Sequence, residues 1–200
     1  MVARGAAGVT ATTTIYLVRH AHTDWQPDEG RPLSTSGLDA AQRLATLLSP
    51  LPIAAVYSSP LRRSVDTVTP LAKRLGVRPE LVSDLREREL PVLPPGEFDR
   101  AMQEAWRSPE KATDGGESNA TAQTRGLAAV RGVLMRHPGE HVVVSTHGNL
   151  LALVLNGLDP AFGYDFWRTL SFPDVYRLEF EGTSLVGAER VWEQAAWIQG

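Results

Sequence analysis

The sequence predicts an α/β sandwich built on a mostly parallel sheet. Short runs of β-formers alternate with segments of helical periodicity from residue 15 onward. Three of the runs end in polar or cationic residues, and each is followed by a helix. Two late runs, 175–180 and 185–192, are joined by Glu181-Gly182-Thr183. That pattern predicts a hairpin, and with it an antiparallel strand at the sheet margin.

Residues 1–14 are small and polar and lack the apolar centre of a signal peptide, so they are expected to form a flexible tail. Ile15-Tyr16-Leu17-Val18 is the first expected strand. A helix over 37–48 follows, with Leu38, Ala41, Leu44, Ala45 and Leu48 at helical spacing and Ser34 or Ser36 as its cap. Residues 53–57 form a second strand. Residues 61–75 form a second helix, with Val65, Val68, Leu71, Ala72 and Leu75 on one face and Gly76 just beyond its end. A short strand is expected to begin at Leu81-Val82. Residues 91–118 are rich in proline and glycine and read as a lid or insertion within one domain spanning 15–200, with a helical piece at 98–107. A helix over 120–136, a valine-rich strand over 141–145 and a helix over 148–155 precede the hairpin.

Hydrophobic residues make up 42% of the 200 and charged residues 22%, ordinary values for a globular chain with a substantial core. A net charge of −3 gives no sign of a nucleic-acid or membrane-surface partner, and no stretch has the length of a membrane span. There is no cysteine. Thiol nucleophiles, disulfides and cysteine–metal sites are thereby excluded, and a cytoplasmic location is expected.

In parallel sheets, ligands bind beyond the carboxyl ends of the strands. The three runs deliver Arg19-His20, then Ser58-Ser59-Pro60-Leu61-Arg62-Arg63, then Ser145-Thr146-His147-Gly148 to that end. Arg19, His20, Arg62 and His147 would converge there, with helix N-terminal amides behind Pro60 and Gly148. Two guanidiniums and backbone amides suit a compact dianion such as phosphate. An imidazole among them can attack phosphorus, and a second can stabilise the transition state. The leaving alcohol needs a general acid, and residues 84–89 (Asp-Leu-Arg-Glu-Arg-Glu) supply three carboxylates among which the pattern does not choose.

In order, RHAHTDW at 19–25, SSPLRRSVDT at 58–67, LRE at 85–87, GGES at 115–118 and STHGN at 145–149 resemble the histidine phosphatase superfamily. The likeness is to its phosphoglycerate mutase-like branch, with its small broad-specificity and α-ribazole phosphatases, and runs from about residue 15 to 155. It implies a three-layer α/β/α sandwich and a phosphohistidine formed on His20. It also implies a phosphate pocket of Arg19, Arg62, His147 and Thr23, and Glu87 as proton donor with Glu89 as competitor. Ala21 stands where the family usually has glycine, and Gln26 where many mutase-like members have asparagine. The family's G-x-W-E-G stretch is absent, residues 89–95 reading ELPVLPP instead.

The expected activity is that of a metal-independent, cofactor-free phosphomonoesterase acting on a small molecule, as a monomer or homodimer. A cofactor-dependent phosphoglycerate mutase and an inert phosphate-ester binding protein are the alternatives. Zinc held by His20, His22 and His147 is a third reading, opposed by the turn at 21–23 and the two pocket arginines. Trp25, Phe98 and Trp106 are expected either to wall the cleft or to anchor the loops. Trp167, Trp192 and Trp197 are expected in C-terminal packing. Activity is expected to peak in mildly acidic to neutral solution, where a neutral histidine and a protonated acid coexist.

Overall fold

The structure, a computed structural model, describes residues 11–24, 30–91, 93–112 and 115–192. Six strands form one sheet: β1 (Thr13–Arg19), β2 (Ile53–Ser58), β3 (Glu80–Leu81), β4 (His141–Thr146), β5 (Asp174–Glu181) and β6 (Ser184–Arg190). Six helices connect them: α1 (Thr35–Leu48), α2 (Arg62–Leu75), α3 (Phe98–Arg107), α4 (Asn119–Arg136), α5 (Gly148–Leu158) and α6 (Tyr164–Arg168).

The sheet order is β3-β2-β4-β1-β5-β6. β1, β2, β3 and β4 run parallel, while β5 is antiparallel to β1 and β6 to β5. The expected hairpin therefore forms the margin. β1 begins at Thr13, two residues before the expected strand. Thr13 and Thr14, expected within a tail over 1–14, are buried and pair with Phe180 and Glu179 as part of β1.

Alternation along the strands builds two cores, one on each face. Ile15, Leu17, Val142 and Val144 pack with Ala122, Val130, Leu150 and Val154 of α4 and α5. Tyr16, Val18, Val56 and Val143 pack with Ala41, Leu44, Val68 and Leu71 of α1 and α2. Helices, sheet and helices make the three layers. Leu38 does not join the inner face of α1: it is exposed, and Gly37 and Ala40 take the buried positions. Gly37 has no room for a side chain, since a Cβ there would run into the His22 carbonyl.

The parallel core brings the ends of β1, β4 and β2 side by side, Arg19 opposite Thr146 and Ser58 opposite Ser145. Buried hydroxyls join α2 to these ends. Ser58 Oγ donates to Ser64 Oγ at 3.0 Å, and Ser64 Oγ lies 2.8 Å from Ser145 Oγ.

Candidate active site

A cleft of about 580 Å³ opens over the carboxyl ends of β1, β2 and β4. Arg19, His20, Thr23, Glu87 and Gly148 line it, as do Arg31, Arg63, His22 and Asn149. Leu90, Phe98, Trp167 and Phe172 form its apolar wall.

His20 leaves the end of β1 with its backbone N–H donating to the Thr146 carbonyl at 3.0 Å. Its Nδ1 lies 2.7 Å from the Ala21 carbonyl oxygen. A carbonyl can only accept, so Nδ1 carries the proton and Nε2 holds the lone pair. Burial pushes the His20 pKa down to about 3, with the Arg63, Arg19 and Arg31 charges adding to the fall and the Ala21 hydrogen bond opposing it. The imidazole is thus neutral at ordinary pH.

This has a consequence for stability. Unfolded, His20 takes up a proton below about 6.5, while folded it stays neutral to about 3. Its contribution is present above pH 6.5 and is lost as pH falls through that window, with a slope of up to about 1.4 kcal/mol per pH unit. Urea unfolding between pH 6.5 and 4.5 should show a shallower loss for His20→Ala than for the unchanged protein; equal slopes would contradict a neutral buried His20.

His147 lies behind His20, ring centroids 5.1 Å apart, and is fully buried. Burial first, then the neighbouring His20 ring and the Arg63, Arg125 and Arg31 charges, hold it neutral, well below the ordinary histidine pKa. Its Nε2 is 2.8 Å from Ser59 Oγ. With Nε2 accepting the Ser59 proton, Nδ1 becomes a buried N–H that has no partner among the described residues. It can donate to an anion held beside His20.

Arg19 is gripped rather than loose. Its Nη1 donates to the Leu170 and Ser171 carbonyls at 2.9 and 3.3 Å, and its guanidinium carbon lies 3.4 Å from the Phe172 ring centroid. Arg190 holds that loop by a two-point ion pair with the buried Asp174, whose carboxylate accepts the Ser171 N–H at 3.0 Å. The guanidinium lies flat on the start of α5. A Cβ at Gly148 would sit 2.9 Å from Arg19 Cζ and Nε, so this position requires glycine.

Arg62 is not in the cleft. Its side chain is 59% exposed and pairs with Asp66 one turn along α2. Arg63 takes the expected place: it is 4% exposed and lines the cleft. Helical phase explains the exchange. Arg63 shares the inner face of α2 with Thr67, Val68 and Leu71, and Thr67 Oγ1 accepts the Ala21 N–H at 2.9 Å. That phase was readable in the sequence, because Arg63 and Thr67 lie four residues apart, in step with the apolar stripe.

Glu87 lines the cleft and caps α5. Its carboxylate accepts the Asn149, Leu150 and Arg88 N–H groups at 3.2, 3.1 and 2.9 Å. Glu89 faces solvent, its side chain 61% exposed and paired with Arg86. Trp167, expected in C-terminal packing, packs against the core and also lies in the cleft wall beside Phe98, ring centroids 6.2 Å apart. It sits on α6, a five-residue helix too short to show a period in sequence. Trp106 packs against the core and Trp192 is buried in it. Trp25, Gln26 and Trp197 lie outside the described residues. His22 meets Ser34 Oγ through Nδ1 at 2.9 Å. Among the described residues no group of three or more His, Asp or Glu side chains is placed to hold a metal ion.

Comparisons with known proteins agree with this geometry. Residues 15–187 match the family model of the histidine phosphatase superfamily (branch 1). The chain is 33% identical to phosphoglycerate mutase-like protein 4 of Arabidopsis thaliana, over 84% of this chain and 88% of that protein. It is 32% identical to a metal-independent phosphoserine phosphatase of the same plant, over 71% and 67%. The solved structure of Bacillus stearothermophilus YhfR superposes with a TM-score of 0.72 at 26% identity, over 86% of this chain and 94% of that one. The sheet, the cleft at the strand ends and the matched sequence make this chain a member of the histidine phosphatase superfamily.

Proposed function

We propose that the chain is a metal-independent phosphomonoesterase that works through a phosphohistidine on His20, within one catalytic domain placed in the cytoplasm. The observation that carries this reading is His20 itself: buried, neutral, with Nδ1–H fixed on the Ala21 carbonyl, in a cleft that also holds Arg19 and Arg63. A phosphate ester binds with its oxygens toward the two guanidiniums, the His147 Nδ1–H and the start of α5. The His20 Nε2 lone pair forms the N–P bond as the ester P–O bond breaks, and Glu87 gives its proton to the departing oxygen. Water then attacks phosphorus, the N–P bond breaks, and Glu87 takes the water proton. Positioning and charge supply most of the catalysis.

A mutase would need to hold a second acidic group while excluding water. Among the described residues of 91–118, Phe98 alone lines the cleft. The lid cation Arg100 is 80% exposed and paired with Glu97. The apolar wall of Leu90, Phe98, Trp167 and Phe172 suits the organic part of an ester.

The test is phosphate release in EDTA from a panel of phosphoserine, 3-phosphoglycerate, a sugar phosphate, a nucleotide and an aryl phosphate. Release from one or more esters is expected. Silence across the panel, with interconversion of phosphoglycerates once 2,3-bisphosphoglycerate is added, would replace phosphatase by mutase. Gly148→Ala should push Arg19 off the start of α5 and lower kcat/KM by roughly 10²-fold, the usual cost of an ångström-scale misplacement. It should also weaken inhibition by inorganic phosphate, measured as Ki; an unchanged Ki would show that Arg19 does not hold the phosphate.

A further inference from the structure

Arg125, on α4, does not line the cleft, yet it divides all its donors between the segment that carries Glu87 and the Glu117 carboxylate. A guanidinium has five N–H bonds. Two go to Glu117, Nε to Oε1 and Nη2 to Oε2, each at 2.7 Å. The other three go to backbone carbonyls of the acid-bearing loop: Nη1 to Asp84 at 2.7 Å and to Arg86 at 2.9 Å, and Nη2 to Glu87 at 3.1 Å. Glu117 grips the far end of the same loop. Its N–H donates to the Glu89 carbonyl at 2.8 Å, its Oε2 accepts the Glu89 N–H at 3.4 Å, and its own carbonyl accepts Arg88 Nη1 at 3.2 Å. The two side chains are only 11% and 8% exposed.

We propose that Arg125 and Glu117 are a positioning pair that fixes Glu87 for proton transfer to the leaving group, a reading that rests on the phosphatase function above. The backbone of Glu87 is tied to α4 through this pair, while its carboxylate is tied to the first turn of α5 through Asn149 and Leu150. Held at both ends, the acid has one placement in the cleft. Fixing a catalytic group to within about half an ångström by locked supporting residues is what efficient proton transfer demands. Burial alone would raise the Glu117 pKa, but the Arg125 hydrogen bonds and charge outweigh it, so Glu117 is ionised and the pair is charged at neutral pH. A lysine at 125 would keep the charge but not the planar fork that reaches three carbonyls and a carboxylate together.

The pair is tested with Arg125→Lys and the near-isosteric Glu117→Gln, each assayed on an alkyl phosphate and on 4-nitrophenyl phosphate. An alkoxide leaving group needs the proton and a nitrophenolate does not. A displaced acid should therefore lower kcat/KM for the alkyl ester by roughly 10²-fold and leave the aryl ester within about threefold. Glu87→Gln should show the same split. Equal losses on both esters would reduce the pair to a structural tie and overturn the proposal. A second readout needs no turnover. The Asn149 and Leu150 amides belong to the first turn of α5, where no intrahelical acceptor exists, so their protection from hydrogen exchange reports the Glu87 carboxylate directly. Both variants should lose roughly tenfold or more of that protection. Unchanged protection would overturn the proposal even if the protein hydrolysed no ester, and an inactive wild type would sink the phosphatase reading while this exchange result still stood.

Discussion

His20→Ala should lower turnover by roughly 10⁴-fold or more, the loss expected when a covalent nucleophile is removed from a site whose other groups only bind and polarise. The size of the effect follows from the division of labour in the cleft. Arg19, Arg63 and His147 can hold and stabilise a phosphoryl group but cannot accept one at neutral pH, because the guanidiniums are charged and His147 lies behind the nucleophile with Nε2 committed to Ser59. Water has no base set to replace the lost Nε2 at the first step. The variant keeps its phosphate pocket, so inorganic phosphate should still bind. Loss of turnover with retained phosphate binding, by calorimetry, is the expected pair of results. Turnover within tenfold of the unchanged enzyme would remove His20 from the mechanism.

The second large effect separates two adjacent arginines. Arg63→Ala should lower kcat/KM by roughly 10²–10³-fold, the usual cost of one preorganised donor to a developing charge. Arg62→Ala should stay within about twofold, because an exposed i,i+4 pair with Asp66 contributes only ~0.3–0.5 kcal/mol to stability. Arg63→Lys should recover part of the loss, retaining the charge without the two-point fork. Arg63 has a further signature. Its charge is one of the causes that keep His20 neutral, so in Arg63→Ala the His20 pKa should rise from its depressed value. Histidine-side-chain NMR reads this directly. A large loss in Arg62→Ala with a silent Arg63→Ala would restore the sequence-based assignment and refute the helical-phase argument.

The fold was legible because period and composition agreed along most of the chain. The valines of β4 and the Ile15–Val18 run could be little else than buried strands. Three strand ends with complementary polar cargo pointed to one cleft, and β1, β4 and β2 are adjacent. Arg62 was assigned the place that Arg63 holds because the motif SSPLRR carries both arginines side by side and only their phase on α2 separates them. Phe172 and Trp167 were hidden for a different reason: the chain returns to the cleft after α5 through a loop and a one-turn helix whose path tertiary contacts decide. Arg125 was hidden because three of its acceptors are backbone carbonyls about forty residues away, and carbonyls carry no sequence signature. The choice between Glu87 and Glu89 rested on resemblance until geometry put one carboxylate in the cleft and the other in solvent.

The most direct measurement of the central claim is rapid quenching of a single turnover of radiolabelled phosphate ester in EDTA, followed by peptide mapping. Phosphoramidates survive alkali and break in acid. An alkali-stable, acid-labile label on the peptide containing His20, formed and lost at rates consistent with kcat and absent in His20→Ala, is the predicted result. Turnover with no protein-bound phosphate, or label on any other residue, would contradict it.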